Sequence, residues 1–351
     1  TKMAEFLRLK KSNCKNCYKC IRHCPVKSIR ISANQAHIVP EECILCGQCF
    51  VVCPQGAKEI ADNTEKAEVL LNSGKVIASL APSFTANYDG AGIEAMEKAL
   101  KQLGFYAAEE TAIGATIVKK EYDRLLQEGE QDVIISSCCH SINLLIEKYF
   151  PSALRYLAKV VSPMQAHCMD IKKRYPDAKT IFIGPCVSKK DEADRYPGPV
   201  DCVLTFEELA GIIEGKDLDI DLLEVDENEA ALCSASAAGR GFAQSGGVAN
   251  AVANKIKEWH PDMEVKIASA QGLADCKKLL MLAKAGKYNG YLLEGMGCPG
   301  GCIGGAGTIA DPARTAIQLN KYMKEAPFTD PEQSPYMSEI HVLKDDPNFE
   351  L

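Results

Sequence analysis

No run of about 18 apolar residues occurs in the 351-residue sequence, so nothing in it reads as a membrane-spanning helix. The N-terminus also lacks a charged region followed by an apolar stretch and a small-residue cleavage site. With neither signal present, the expectation is a cytoplasmic protein with no membrane partner. Basic blocks are missing too. Lys and Arg total 40 against 47 Asp and Glu, a net charge of -7, and no patch stands out that could neutralise a phosphate backbone, so nucleic acid is not an expected partner. Cysteine, by contrast, is abundant, at 17 residues. Disulfides belong mostly to oxidising compartments and small secreted domains, whereas these cysteines crowd into tight groups that suit metal ligation. Apolar residues at 46% and charged residues at 25% allow a sizeable core, and the length exceeds the usual size of one, which argues for two domains.

Residues 14–25 read CKNCYKCIRHCP and residues 43–54 read CILCGQCFVVCP, one motif used twice at an offset of 29 residues. Each run has the order Cys-x-x-Cys-x-x-Cys-x-x-x-Cys-Pro, closed by Pro25 or Pro54, which is the spacing of bacterial two-cluster ferredoxins. Three closely spaced thiolates wrap three corners of a cubane, and the chain carries the fourth cysteine away to the other cluster. Cys14, Cys17, Cys20 and Cys53 are thereby assigned to one 4Fe-4S cluster, and Cys43, Cys46, Cys49 and Cys24 to a second. A four-thiolate set could also bind zinc, but zinc does not call for two interleaved triplets each ending in Cys-Pro. Two clusters side by side imply electron transfer.

Beyond Ala61 the texture changes, with polar residues 62–66 marking a boundary. β-rich runs follow at residues 75–80, 132–136, 180–183, 200–204, 265–269 and 290–293. Helical patterns cover residues 142–150 and 163–175, and a third starts at Thr205, whose Thr-x-x-Glu pattern with Glu208 is a capping box. Alternation of this kind predicts an α/β fold with mainly parallel sheet. Cys138 and Cys139 follow one strand, Cys186 another and Cys298 a third, so three strand ends are expected to converge on one crevice, where open α/β sheets bind ligands. From about Glu325 the chain turns Pro-rich and acidic and reads as a surface-wrapping or mobile tail.

Five of the nine remaining cysteines lie in informative company: SSCCHS around Cys138 and Cys139, IGPCVSKKDEA around Cys186, and LEGMGCPGGCIGG around Cys298 and Cys302. In order and spacing these segments resemble the three signature motifs of the FeFe-hydrogenase catalytic domain, over about residues 76–311, and the likeness extends upstream through the ferredoxin-like module. It implies a fold in which residues 1–63 form a two-cluster ferredoxin-like α+β domain. Residues 64–325 would form a two-lobed α/β catalytic domain, with residues 326–351 as a tail. It also implies a third 4Fe-4S cubane held by Cys139, Cys186, Cys298 and Cys302, with Cys302 bridging to a di-iron unit that carries carbon monoxide, cyanide and a bridging dithiolate. Lys189 matches the family lysine that donates to a cyanide, and Glu192 its nearby carboxylate. Pro82 and Ser83 match the loop at the other cyanide, and Phe242 and Met296 the apolar wall. Taken singly, these residues have blander explanations, as a solvated lysine pair, a helix cap or core side chains. Cys168, Cys202, Cys233 and Cys276 read as plain buried thiols.

Cys138 matches the family's proton-relay thiol, but the relay positions beyond it read Asp123, Ala158 and Lys120 in place of a glutamate, a serine and a second glutamate. A path through Asp123 or Glu121 and ordered water remains open, the two being interchangeable within one residue of register. Gly184 and Met164 stand where the prototypical enzymes have Met and Gln, and His140 replaces a proline. The loss of a bulky side chain at Gly184 is expected to open space and water beside the di-iron unit. These departures resemble the sensory or atypical branches of the family. The implied substrate is dihydrogen and protons, with a ferredoxin-like electron partner and maturation proteins for the di-iron unit. No sensory or kinase domain is legible in the chain, so signalling would run through a partner. The rival reading is a hydrogenase-like iron-sulfur assembly or electron-transfer protein that lacks the di-iron unit.

Overall fold

The computed structural model describes residues 6–88, 90–129, 132–220, 223, 235–259 and 265–329. Near the N-terminus, strand β1 (Leu7–Leu9) pairs antiparallel with β4 (Lys58–Ile60), and β2 (Ile29–Ser32) with β3 (Gln35–Ile38). The β2–β3 turn is made by Ala33 and Asn34, both at positive φ (47° and 56°), the two-residue geometry that matches strand twist. Short helices Lys19–His23 and Gln48–Val51 each follow the second cysteine of a triplet and carry the third. This is the internal repeat made visible.

The rest of the chain builds two parallel sheets. One has the order β6-β5-β8-β9, from Ala107–Glu110, Val76–Leu80, Lys179–Ile183 and Cys202–Leu204. The other has the order β10-β11-β7, from Lys266–Gln271, Tyr291–Met296 and Val133–Ile135. All the pairings in both are parallel. Strand β5 is buried at every position, as a parallel strand covered on both faces should be. Two helices, Ala112–Glu128 and Pro163–Arg174, pack against each other, the second opening on Ser162, whose side chain accepts from the Gln165 amide. The Thr205–Glu208 capping box is present. Glu208 also accepts from the Asn63 amide at 2.7 Å and from Lys190 at 2.7 Å, and Lys190 donates to the Ala61 carbonyl at 2.8 Å. The segment joining the cluster module to the sheets is therefore pinned by one carboxylate and its cation.

Strand β6, whose sequence is Ala-Ala-Glu-Glu, was not among the expected strands. Its carboxylates are buried because cations from distant segments meet them. Arg240 grips Glu110 through two bonds of 2.9 and 2.7 Å, lies 3.6 Å from the Tyr322 ring centroid, and Tyr322 donates to Glu110 at 2.8 Å. Of the tail, residues 326–329 are described, and there the Phe328 carbonyl accepts from the Ala237 amide at 2.8 Å. The expectation for residues 330–351, with Pro331, Pro335 and Pro347, lies outside the described residues, as does Cys233. Cys168, Cys202 and Cys276 are buried.

Removing one partner of a buried ion pair strands the other charge, at a cost of about 3–5 kcal/mol. Arg240→Leu should therefore lower stability by that order in urea unfolding followed by circular dichroism. Adding Glu110→Leu should recover part of the loss, and an additive double variant would contradict the coupling.

Candidate functional site

Cys139 caps the start of helix His140–Tyr149 just after β7, Cys186 follows β8 and precedes helix Ser188–Arg195, and Cys298 and Cys302 follow β11. Strands β7 and β11 are neighbours in one sheet, whereas β8 belongs to the other. The four thiols nevertheless line one cavity, so they draw the two lobes together at their strand ends. The Gly297 amide donates to Cys139 Sγ at 3.5 Å, and Ser188 Oγ lies 3.1 Å from Cys186 Sγ. Burial first, then repulsion from the neighbouring cysteines, pushes the Cys298 and Cys302 thiols well above their ordinary range. Four such sulfurs cannot all be thiolates without a compensating cation. That is the environment an iron-sulfur cluster satisfies, and the donor set fits one.

The N-terminal cysteines fall into two sets. Cys24, Cys43, Cys46 and Cys49 line a single cavity, and Cys20 feels the charges of Cys53 and Cys17. Amides aim at sulfur throughout: Ser28 N to Cys24 at 3.3 Å, Leu45 N to Cys43 at 3.4 Å and Ala57 N to Cys53 at 3.2 Å. Among the described residues no group of three or more His, Cys, Asp or Glu is spaced to hold a single metal ion. A mononuclear tetrahedral site draws its thiolates to about 2.3 Å from one centre, whereas a cubane holds them apart on separate corners. Cys17 is exposed, while Cys46 also lines the cavity of the Cys139 set. The three cysteine sets thus lie in series from surface to interior.

A second cavity adjoins the first. Cys186, Cys302 and Met296 line both. Its walls are almost wholly apolar, with Pro82, Met164, Phe182 and Phe242 among them, and its polar exceptions include Ser83, Thr111, Cys138 and Lys189. Ser83 Oγ is buried and makes no hydrogen bond, so a donor stands unspent at the wall. Lys189 donates to Glu192 at 2.5 Å and to the Cys138 carbonyl at 3.2 Å. Burial works to lower the Lys189 pKa, but the Glu192 carboxylate and the Cys186 and Cys302 sulfurs outweigh it and raise it, so the side chain is a buried cation. A cavity of this kind, with one buried cation, one unused hydroxyl and a cluster thiol in its wall, fits an anionic, thiolate-linked group.

The expectation for Gly184 does not hold. A Cβ built there would stand 2.7 Å from Phe182 Cζ and 2.9 Å from Ala81 Cβ. The ring of Phe182, two residues earlier on the same face of the strand, occupies the space that the small residue leaves. The relay positions also fall differently. Asp123 is buried and paired with Lys119 at 2.8 Å, Glu121 pairs with Arg124 at 3.1 Å, and Ala158 lies in the core. The residue of this helix that meets Cys138 is Tyr122, its hydroxyl 3.9 Å from Sγ and 3.1 Å from Ser137 Oγ. Ser137 Oγ in turn donates to the Val160 carbonyl, which has no proton to pass on. Burial pushes the Cys138 thiol up to about 11. His140 is bound by Asp191 at 2.7 Å. Tyr122, Thr111 and Phe182 were not singled out from the sequence.

Residues 74–306 match the family model described as iron only hydrogenase large subunit, C-terminal domain, and residues 6–54 match a 4Fe-4S dicluster domain. The chain belongs to the FeFe-hydrogenase (iron-only hydrogenase) family. It is 28% identical to the NADP-reducing hydrogenase subunit HndD of Solidesulfovibrio fructosivorans, over 88% of this chain and 64% of that protein. It is 26% identical to the cytosolic Fe-S cluster assembly factor NAR1 of Eremothecium gossypii, over 54% of this chain and 45% of that one. The chain thus spans less than two thirds of the length of these curated relatives. Its fold resembles that of the FeFe-hydrogenase HydA1 from Chlamydomonas reinhardtii, with a TM-score of 0.65 and 19% identity, covering 81% of this chain and 94% of that one. No helix among the described residues is long and apolar enough to cross a membrane.

Gly47, at φ +72°, lies where the cluster module meets the catalytic part, and an added Cβ would stand 2.3 Å from Ala306 Cβ. Gly47→Ala should push Cys46 away from the Cys139 set. In the reduced, iron-loaded protein, electron paramagnetic resonance should show a weakened magnetic interaction between neighbouring clusters at undiminished iron content. An unchanged spectrum would place the contact elsewhere.

Proposed function

We propose that this chain interconverts dihydrogen with protons and electrons. The active site would be a 4Fe-4S cluster held by Cys139, Cys186, Cys298 and Cys302 and joined through Cys302 to a di-iron unit with carbon monoxide, cyanide and a bridging dithiolate. The observation that carries the reading is Cys302 standing in the shared wall of the thiol-lined and apolar cavities. When bound, the di-iron unit supplies the open iron site at which dihydrogen is split heterolytically. Around it, Lys189, steadied by Glu192, would donate to one anionic ligand, and Ser83 beside Pro82, whose hydroxyl is unspent, would donate to another. Phe182, Phe242 and Met296 exclude water, which strengthens every electrostatic contact inside. Cys138 presents its S–H to the cavity as the first proton carrier.

Residues 1–63 would act as the electron module, residues 64–325 as the catalytic domain and residues 326–351 as a tail. Electrons would enter from a ferredoxin-like partner near exposed Cys17, pass the cluster of Cys14, Cys17, Cys20 and Cys53, and then that of Cys24, Cys43, Cys46 and Cys49. Three cubanes plus the di-iron unit, the latter delivered by maturation proteins, complete the set. Because the branch from Cys138 through Tyr122 and Ser137 ends at the Val160 carbonyl, we expect slow turnover, which suits sensing through a signalling partner in the cytoplasm. The second reading, an iron-sulfur assembly or electron-transfer protein without the di-iron unit, draws on that same blocked relay and on the similarity to NAR1.

The matured protein should oxidise and evolve hydrogen with a low-potential dye, at rates well below those of prototypical enzymes. Cys302→Ala should abolish turnover, Cys138→Ala should reduce it, and Cys168→Ala should stay near the parent. Equal behaviour of the Cys302 and Cys168 variants would reject the assignment of Cys302. Before maturation, iron analysis should give about twelve atoms per chain, from three cubanes of four irons each. A value near eight would mean that the catalytic cubane is absent.

A further inference from the structure

At Thr111 the wall of the apolar cavity opens onto a chain of polar groups that has no part in the functions assigned above. Thr111, on the cavity wall between β6 and helix Ala112–Glu128, has its hydroxyl 2.7 Å from Ser79 Oγ. Ser79 Oγ is 2.8 Å from His167 Nδ1, and His167 Nε2 is 3.1 Å from Glu109 Oε2. Arg174, partly open to solvent, clasps Glu109 with bonds of 2.9 and 2.6 Å. Ser79 and His167 are fully buried, at 0% exposure, so this is a polar thread through a core that would be better packed with apolar side chains if it served stability alone.

From this geometry we propose that Thr111, Ser79, His167 and Glu109 form a proton route between the cavity and the surface at Arg174. The inference rests on the hydrogenase reading and adds to it a conduit distinct from Cys138. Burial works to raise the Glu109 pKa, but hydrogen bonds from His167 and Arg174 and the charge of Arg174 hold it below its ordinary range, so the carboxylate is ionised and can accept the Nε2 proton of His167. In the tautomer that carries its proton on Nε2, Nδ1 accepts from Ser79, and Ser79 from Thr111. With the protons so arranged, every donor points outward from the cavity. A proton arriving at Thr111 oxygen displaces the Thr111 proton to Ser79, the Ser79 proton to Nδ1 and the Nε2 proton to Glu109, which releases it to water beside Arg174. Rotation of the two hydroxyls and return of the ring tautomer reset the chain. One proton crosses, and no bond other than O–H and N–H is made or broken. Each member can both give and take a proton, unlike the Val160 carbonyl that ends the path beyond Cys138.

The test uses the matured protein with Ser79→Ala, which cuts the chain behind the cavity wall, and Thr111→Val against Thr111→Ser, which removes or keeps the first hydroxyl. Thr116→Val, a buried hydroxyl on the same helix bonded to its own backbone, is the control. Hydrogen turnover should fall about a hundredfold in Ser79→Ala and Thr111→Val with a larger solvent deuterium isotope effect, and stay near the parent in Thr111→Ser and Thr116→Val. Independently of turnover, nitrogen-15 resonance of the His167 ring in iron-loaded protein without the di-iron unit should show Nδ1 losing its hydrogen bond in Ser79→Ala while Nε2 is unmoved. Parent-like rates and isotope effects in both cut variants, or an Nδ1 signal indifferent to Ser79→Ala, would overturn the route while leaving the hydrogenase reading intact. A matured parent without turnover would overturn that reading and this inference with it.

Discussion

Four cysteine sulfurs that line one buried cavity, and that on the proposed reading share one iron-sulfur cluster, organise this protein. They are supplied by two separate parallel sheets, β7 and β11 from one and β8 from the other, and none of them is close enough in sequence to the other sheet's contribution to be held by local structure. Burial and mutual repulsion make the bare thiolates untenable, so the compensating cluster and the closure of the two lobes are linked in free energy, as metal binding and folding commonly are. The position of the N-terminal module follows from the same point. Cys46 reaches the thiol-lined cavity only because Gly47 lets the chain pass against Ala306.

The adjoining cavity solves a different problem. An apolar lining keeps water from a reactive group, yet chemistry that separates protons from electrons needs a way out for each. Electrons have the cysteine series. On the proposed reading, protons that leave by Cys138 meet Tyr122 and Ser137, while the Thr111 side runs through Ser79 and His167 to the buried carboxylate of Glu109 beside Arg174. The same helix, Ala112–Glu128, borders both sides, with Thr111 at its start and Tyr122 three turns on, so a change in its packing would bear on both.

Much of this was legible because the informative patterns are local. Cysteine spacing in residues 14–54 points to two interleaved clusters without reference to anything distant, and the largely apolar runs of β5 and β8, interrupted only by Ser79 in the one and opened by Lys179 and Thr180 in the other, still read as buried strands. Strand β6 was hidden for the converse reason. Its glutamates look like a solvated helical turn until Arg174 and Arg240 arrive from 65 and 130 residues away. On helix Ala112–Glu128 a shift of one residue turns a side chain by about 100°, enough to exchange Tyr122 for Asp123 beside Cys138. Gly184 misled because the volume it gives up is returned by Phe182, a compensation between neighbours on one strand face that no single position reveals.

The claim on which the rest depends is that the cavity bordered by Cys302, Lys189 and Ser83 holds a di-iron unit with diatomic ligands. Infrared spectroscopy of the protein after maturation reads those ligands directly. Sharp stretching bands of iron-bound carbon monoxide and cyanide are expected, with the cyanide bands shifting in Lys189→Met and Ser83→Ala. A matured protein with its full complement of cubanes and no such bands would contradict that claim and leave an iron-sulfur protein of the hydrogenase fold without hydrogen chemistry.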